Sequence, residues 1–204
     1  MLDIETLGTK PGCIVRELGI VVFNETKILK SYQYFFDTKS QEEKGLITEW
    51  DTAQWVLDGH YFNNDTDSLK TILDTYPKLG IFTPKKGMLL EQNWVANTDR
   101  GIYTDHENTL EDIFSYYTPI NKDTEIWANG STFDIPILEH FFKTFGLESP
   151  FKYYYNIRDF RTIKRFFNFD GKSIPDEPFP HLAVSDCFWQ VKALQAIYKQ
   201  QNIG

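Results

Sequence analysis

Leu2-Asp3-Ile4-Glu5-Thr6-Leu7-Gly8 opens the chain, and its reading decides the fold. Two carboxylates stand one residue apart among apolar neighbours. In an extended segment the period of two puts Asp3 and Glu5 on one face and Leu2 and Ile4 on the other. One face then belongs to a core and the other carries two adjacent negative charges. At roughly 4 Å such charges repel by about 1 kcal/mol in water and about 4 kcal/mol at an effective dielectric near 20. A bound cation offsets that repulsion; a solvated edge strand tolerates it. This stretch alone leaves both readings open.

Outward from it, residues 8–12 read as a loop containing Pro11. Residues 13–23 read as a strand, with Leu18, Ile20 and Val22 on one side and Gly19, Val21 and Phe23 on the other. Asn24-Glu25-Thr26 is a turn, and residues 27–36 alternate as a third strand, so the three predict an antiparallel meander. Residues 37–48 are polar and read as loop. Asp51 and Thr52 suit the cap of a short helix through Leu57, with Trp50 and Trp55 on it. Residues 59–67 read as loop and 68–76 as a short helix stopped by Pro77. Residues 79–104, with Gly80, Pro84, Gly87 and Gly101, show no assignable pattern. Residues 109–117 read as a helix with Glu111 and Asp112 in its first turn.

Residues 125–129 read as a short buried strand, broken by Gly130-Ser131. Ile135, Leu138, Phe141, Phe142 and Phe145 give a helix over 134–145, ended by Gly146. A strand over 153–157, a helix over 161–167, a Pro-rich loop over 168–180 and a last helix over 181–200 complete the pattern. Strands followed by alternating helices and strands predict an α/β fold: a mixed five-stranded central sheet, antiparallel meander plus two parallel strands, flanked by helices. No linker divides the 204 residues, so residues 1–204 are expected to form a single domain.

The net charge of −8 argues against gripping nucleic acid over the whole surface, because such proteins are usually basic. A local site in which metal ions meet phosphate stays open, since metals reverse the local sign of charge. Cys13 and Cys187 are too far apart in sequence to form a Cys-x-x-Cys pair, which fits a reducing, cytoplasmic setting. No apolar run approaches 18 residues, so no membrane span and no membrane partner are expected.

Asp134 stands at a helix start, and His181 and Asp186 at the start of the last helix. Each alone has an ordinary explanation: helix-dipole stabilisation, a loop residue, a solvent-facing acid. His181 and Asp186 are five residues apart, about 140° on a helix, and flank one cleft more easily if His181 lies in the loop before it. Taken in order, Asp3-x-Glu5, Asn129-Gly130-Ser131-Thr132-Phe133-Asp134 and His181-x-x-x-x-Asp186 resemble the three motifs of the DEDDh 3'-5' exonucleases. The flavour is that of phage-type 3'-5' exonucleases and related bacterial exoribonucleases. Phe133-Asp134-Ile135-Pro136-Ile137-Leu138 and Arg158-Asp159-Phe160-Arg161-Thr162 add to the likeness. The motifs span residues 3–186. In that family several apolar residues precede the first acid, whereas here only Met1 and Leu2 do; the first strand is either truncated or fed by residues not in this sequence. Residues 59–105 match no motif and are expected to be an insertion that bears on substrate choice.

The resemblance implies a ribonuclease-H-like fold and a metal-dependent 3'-5' exonuclease. It would hydrolyse phosphodiester bonds from the 3' end of single-stranded DNA or RNA and release nucleoside monophosphates. It implies two divalent ions, Mg²⁺ or Mn²⁺, held by Asp3, Glu5, Asp134 and Asp186, with Asp3 bridging. Hard cations prefer such carboxylate oxygens, and a metal pair stabilises both attacking and leaving oxygens. His181 would be the general base, since an ordinary imidazole titrates near pH 6.5. Thr6, Leu7, Asn129 and Phe133 are expected around the terminal nucleotide, although Phe133 suits a core equally well. Arg158 is taken as the substrate contact from a basic cluster with Arg161, Lys164 and Arg165, which also reads as a solvated helix face. The competing readings are a catalytically inactive nucleic-acid-binding module of the same fold and a phosphatase for small nucleotides.

Overall fold

A computed structural model describes residues 1–57, 71, 74–76, 79–84, 92–98, 101–108 and 120–201, with residue 57 and those between 79 and 108 described by backbone alone. Strands β1 (Leu2–Thr6), β2 (Val15–Phe23) and β3 (Ile28–Phe35) form the expected antiparallel meander. Its register sets Asp3 opposite Gly19 and Glu5 opposite Glu17. Beside β3 lie β4 (Leu79–Pro84), β5 (Gln92–Thr98) and β6 (Gly101–Asn108), the first parallel to β3 and the others antiparallel in turn. On the other edge of β1, β7 (Ile126–Ala128) and then β8 (Ile157–Asp159) run parallel to it.

The five strands in the order β3-β2-β1-β7-β8 are the expected mixed sheet, and β4 to β6 extend it to eight. Part of the stretch without a readable pattern is therefore sheet. Gly80 sits inside β4 and Pro84 ends it, and both residue types weaken a strand signal. The helix expected over 109–117 lies outside the described residues, as does most of the one expected over 68–76.

Five α-helices are described: α1 (Thr38–Glu43), α2 (Trp50–Leu57), α3 (Ser131–Thr144), α4 (Phe160–Phe166) and α5 (Ala183–Gln201). Helix α1 corrects the loop expected over 37–48. Asp37 caps it by accepting the Ser40 N–H at 2.8 Å. Its inward side chain is Gln41, which is buried and exchanges two hydrogen bonds with the Val15 backbone, at 2.8 and 2.7 Å. A polar residue thus does the docking, and no apolar period marks it. The strand expected over 153–157 is a 3₁₀ turn, Tyr154–Asn156, with β8 beginning at Ile157. Tyr154 and Tyr155 are exposed there, so their strand propensity is not met by packing. Helix α3 starts three residues earlier than expected, directly after Gly130, whose φ of 114° makes the turn.

The two faces of the sheet are covered by different helices. Leu2, Ile4, Leu18, Ile20 and Tyr34 pack against Ile135, Leu138, Phe141 and Phe142 of α3. On the opposite face, Val21 and Phe35 pack with Val184, Cys187, Val191, Leu194 and Ile197 of α5. Each such side chain contributes about 1.5–3 kcal/mol when fully buried. With Leu2 and Ile4 committed to α3, Asp3 and Glu5 project on the side of α5. No helix of the described residues is long and apolar enough to cross a membrane.

Candidate active site

The acids reach one place from three parts of the chain. Asp3 and Glu5 are half-buried on β1, between buried Leu2, Ile4 and Thr6. Strand β7 is short, and its pairing with β1 stops at Leu2 and Ala128. The Ile4 N–H, beyond that end, is taken by the carboxylate of Asp134, which is buried in the first turn of α3. His181 lies in the loop before α5 with φ 63°, and Asp186 in the first turn of that helix. The ligand atoms of Glu5, His181 and Asp186 all lie within 4.8 Å of one another. The Trp55 ring meets the His181 ring edge to face, with centroids 5.6 Å apart.

The close approach of α5 to the sheet has identifiable causes. Gly19 faces the start of α5, and a Cβ there would fall inside the backbone of Ala183 and Val184. Two buried side chains receive the free N–H groups of the first turn. Glu17 Oε2 accepts from Ala183 at 3.4 Å, and Gln33 Oε1 accepts from Val184 at 2.9 Å. Gln33 Nε2 donates to Glu17 at 3.0 Å, joining the two. One turn beyond Asp186, Gln190 donates to Asp3 Oδ1 at 3.0 Å. Glu17, Gln33 and Gln190 were not singled out from sequence. Glu17 had a signal, since the period of two puts it on the face of Gly19 and Val21. Gln190 had one too, four residues after Asp186 on the same helix face.

Burial and mutual repulsion act together on these carboxyls. Burial holds Asp3 well above the carboxylate range, and Asp134, Glu5 and Asp186 add to the effect while the Gln190 amide opposes it. Glu5 is pushed up to about 9 by burial, with Glu17 and Asp186 contributing and Arg16 opposing. Burial raises Asp134 to about 7, against its own N–H, the Ile4 N–H and the Arg161 charge. Asp186 is raised by burial and eased by His181. Oxygen-rich donors with one imidazole, repelling one another in a half-buried cleft, fit a hard divalent cation.

A family model described as the 3'-5' exoribonuclease Rv2179c-like domain matches residues 91–198, more than half of the chain. The chain belongs to the Rv2179c-like family. No curated protein and no solved structure matches it. The stretch matched to the Rv2179c-like domain holds Asp134, His181 and Asp186, while Asp3 and Glu5 lie before it. Membership places this Rv2179c-like chain among the 3'-5' exonucleases.

The remaining expected residues of the Rv2179c-like chain are less uniform in placement. Thr6 is buried, its hydroxyl donating to the Gly8 carbonyl at 2.6 Å, and Leu7 packs partly against the core. Asn129 lies half-buried between β7 and α3, and Phe133 is 37% exposed in the first turn of α3. Arg158 is engaged by Glu125, with Nη2 at 2.9 Å and Nε at 3.0 Å from the same oxygen. The Arg161 charge is among the influences that oppose the upward shift of Asp134.

Proposed function

We propose that the chain is a DEDDh-type, metal-dependent 3'-5' exonuclease that trims single-stranded nucleic acid and releases nucleoside monophosphates. The observation that carries this reading is the approach of Glu5, His181 and Asp186 to within 4.8 Å of one another. Asp3, Glu5, Asp134 and Asp186 would hold two Mg²⁺ or Mn²⁺ ions. Such ions would supply Lewis-acid activation of the attacking water and charge stabilisation of the leaving 3' oxygen. The family description names exoribonucleases, which supports RNA as the first substrate to test.

His181 accepts the proton of the attacking water. Its loop position lets the imidazole reach the cleft without competing for a place on the helix, and the Trp55 ring restricts its swing. The Asp186 carboxylate accepts from the His181 backbone N–H, which ties down the loop that carries the imidazole. Thr6, Leu7, Asn129 and Phe133 surround the terminal nucleotide, with the exposed Phe133 ring available for stacking, worth roughly 1–3 kcal/mol per base. We take residues 1–204 as one catalytic domain.

The test is digestion of 5'-labelled RNA and DNA oligonucleotides of matched sequence with Mg²⁺ or Mn²⁺. A ladder shortening stepwise from the 3' end is expected. It should disappear with EDTA and with Asp3→Ala. Binding without shortening under either metal would overturn the reading in favour of an inactive module. Phosphate release from mononucleotides alone would favour a phosphatase.

A further inference from the structure

Four cations lie between residues 158 and 165 of this acidic chain, and the structure sorts them. Arg158 is paired with Glu125. Lys164 sits over the Trp189 ring, 5.0 Å from its centroid. Arg165 is exposed in the last turn of α4. Arg161, exposed in the first turn, is different. Its Nη2 donates to the Asn129 carbonyl at 2.9 Å. Its guanidinium lies over Gly130, where an added Cβ would come within 3.3 Å of Nη2 and 3.4 Å of the central carbon. Asn129 and Gly130 lead directly into α3 and Asp134.

We propose that Arg161 is a substrate ligand that receives a backbone phosphate of the strand being trimmed. This rests on the exonuclease reading and names how that site holds its strand. A guanidinium has five N–H donors, and among the described residues one hydrogen bond is assigned to this one, on an exposed side chain. The carbonyl tether and the bare Cα of Gly130 hold the group in one place. A pre-set planar fork suits two oxygens of a phosphodiester better than a mobile ammonium does. The surrounding charge gives it a task. With a net charge of −8 the protein repels a polyanion at long range, so a strand that approaches the acids needs a fixed cation beside them.

The test measures KM and kcat of Arg161→Gln, Arg161→Lys and Arg165→Gln on a short oligoribonucleotide, with melting curves to establish folding. Arg161→Gln should raise KM about ten-fold or more with kcat within about two-fold, as for loss of a charge-assisted hydrogen bond. Arg161→Lys should recover part of that loss, and Arg165→Gln should keep the wild-type KM. Single methylphosphonate linkages, walked back from the 3' end, should weaken wild type at one position by a similar factor. That position should be silent in Arg161→Gln. Equal losses for Arg161→Gln and Arg165→Gln would overturn the proposal, as would methylphosphonate effects unchanged by the substitution. Binding of the same strand, read by fluorescence anisotropy with Ca²⁺, tests Arg161 even if the wild type cuts nothing. That separates failure of this contact from failure of the exonuclease reading.

Discussion

At the scale of single residues the site divides into groups that face the cleft and groups that hold them. His181→Ala should lower kcat by roughly 10²–10⁴-fold, the usual contribution of a general base, while metal affinity by calorimetry stays near wild type. Asp186→Ala should weaken metal binding as well. Glu17 is of the second kind. Burial moves its carboxyl from 4.5 to about 7, so the folded state holds this proton more tightly than the unfolded chain does. The stability it contributes is full below about pH 4.5 and is lost as pH rises through about 7. Glu17→Gln keeps an acceptor for the Ala183 N–H and removes that titration, so its melting temperature should fall less than wild type between those pH values. The nearness of Glu5, His181 and Asp186 was legible because their residue types and order form a set with Asp3 and Asp134. Glu17 and Gln33 were not, since their roles depend on backbone N–H groups of a helix 166 and 151 residues away in sequence.

Elements bring these groups together through one narrow fit, between the middle of β2 and the first turn of α5. Gly19→Ala should cost about 1–3 kcal/mol or more, as for overpacking, because the atoms it would displace are backbone. Activity should fall further than the loss of stability accounts for, since His181 and Asp186 move with the displaced turn; kcat measured well below the melting temperature checks this. The meander was legible from period-two alternation, and α3 and α5 from their apolar spacing. Helix α1 was hidden because Gln41, a polar residue, is its buried anchor. Strand β8 was misplaced because three consecutive tyrosines resemble a strand, whereas two of them stand in solvent.

At the scale of the molecule, an eight-stranded sheet and two flanking helices gather acids from β1 and from the first turns of α3 and α5, and their shared repulsion is a property of the assembled fold. Asp3, Glu5, Asp134 and Asp186 all bind protons more tightly when folded, so without metal the protein should lose stability as pH rises from about 5 to about 9. Mg²⁺ or Mn²⁺ should restore it, with a larger gain in melting temperature at the alkaline end; calorimetry with and without EDTA reads this. Within the central sheet the meander was legible from local alternation and β7 from its short apolar run. The extension by β4 to β6 was not, because Gly and Pro interrupt it. The hydrogen bond from Gln190 to Asp3 spans 187 residues and has a consequence for biosynthesis. The first acids leave the ribosome long before the last helix exists, so the cleft cannot be assembled until α5 has been made.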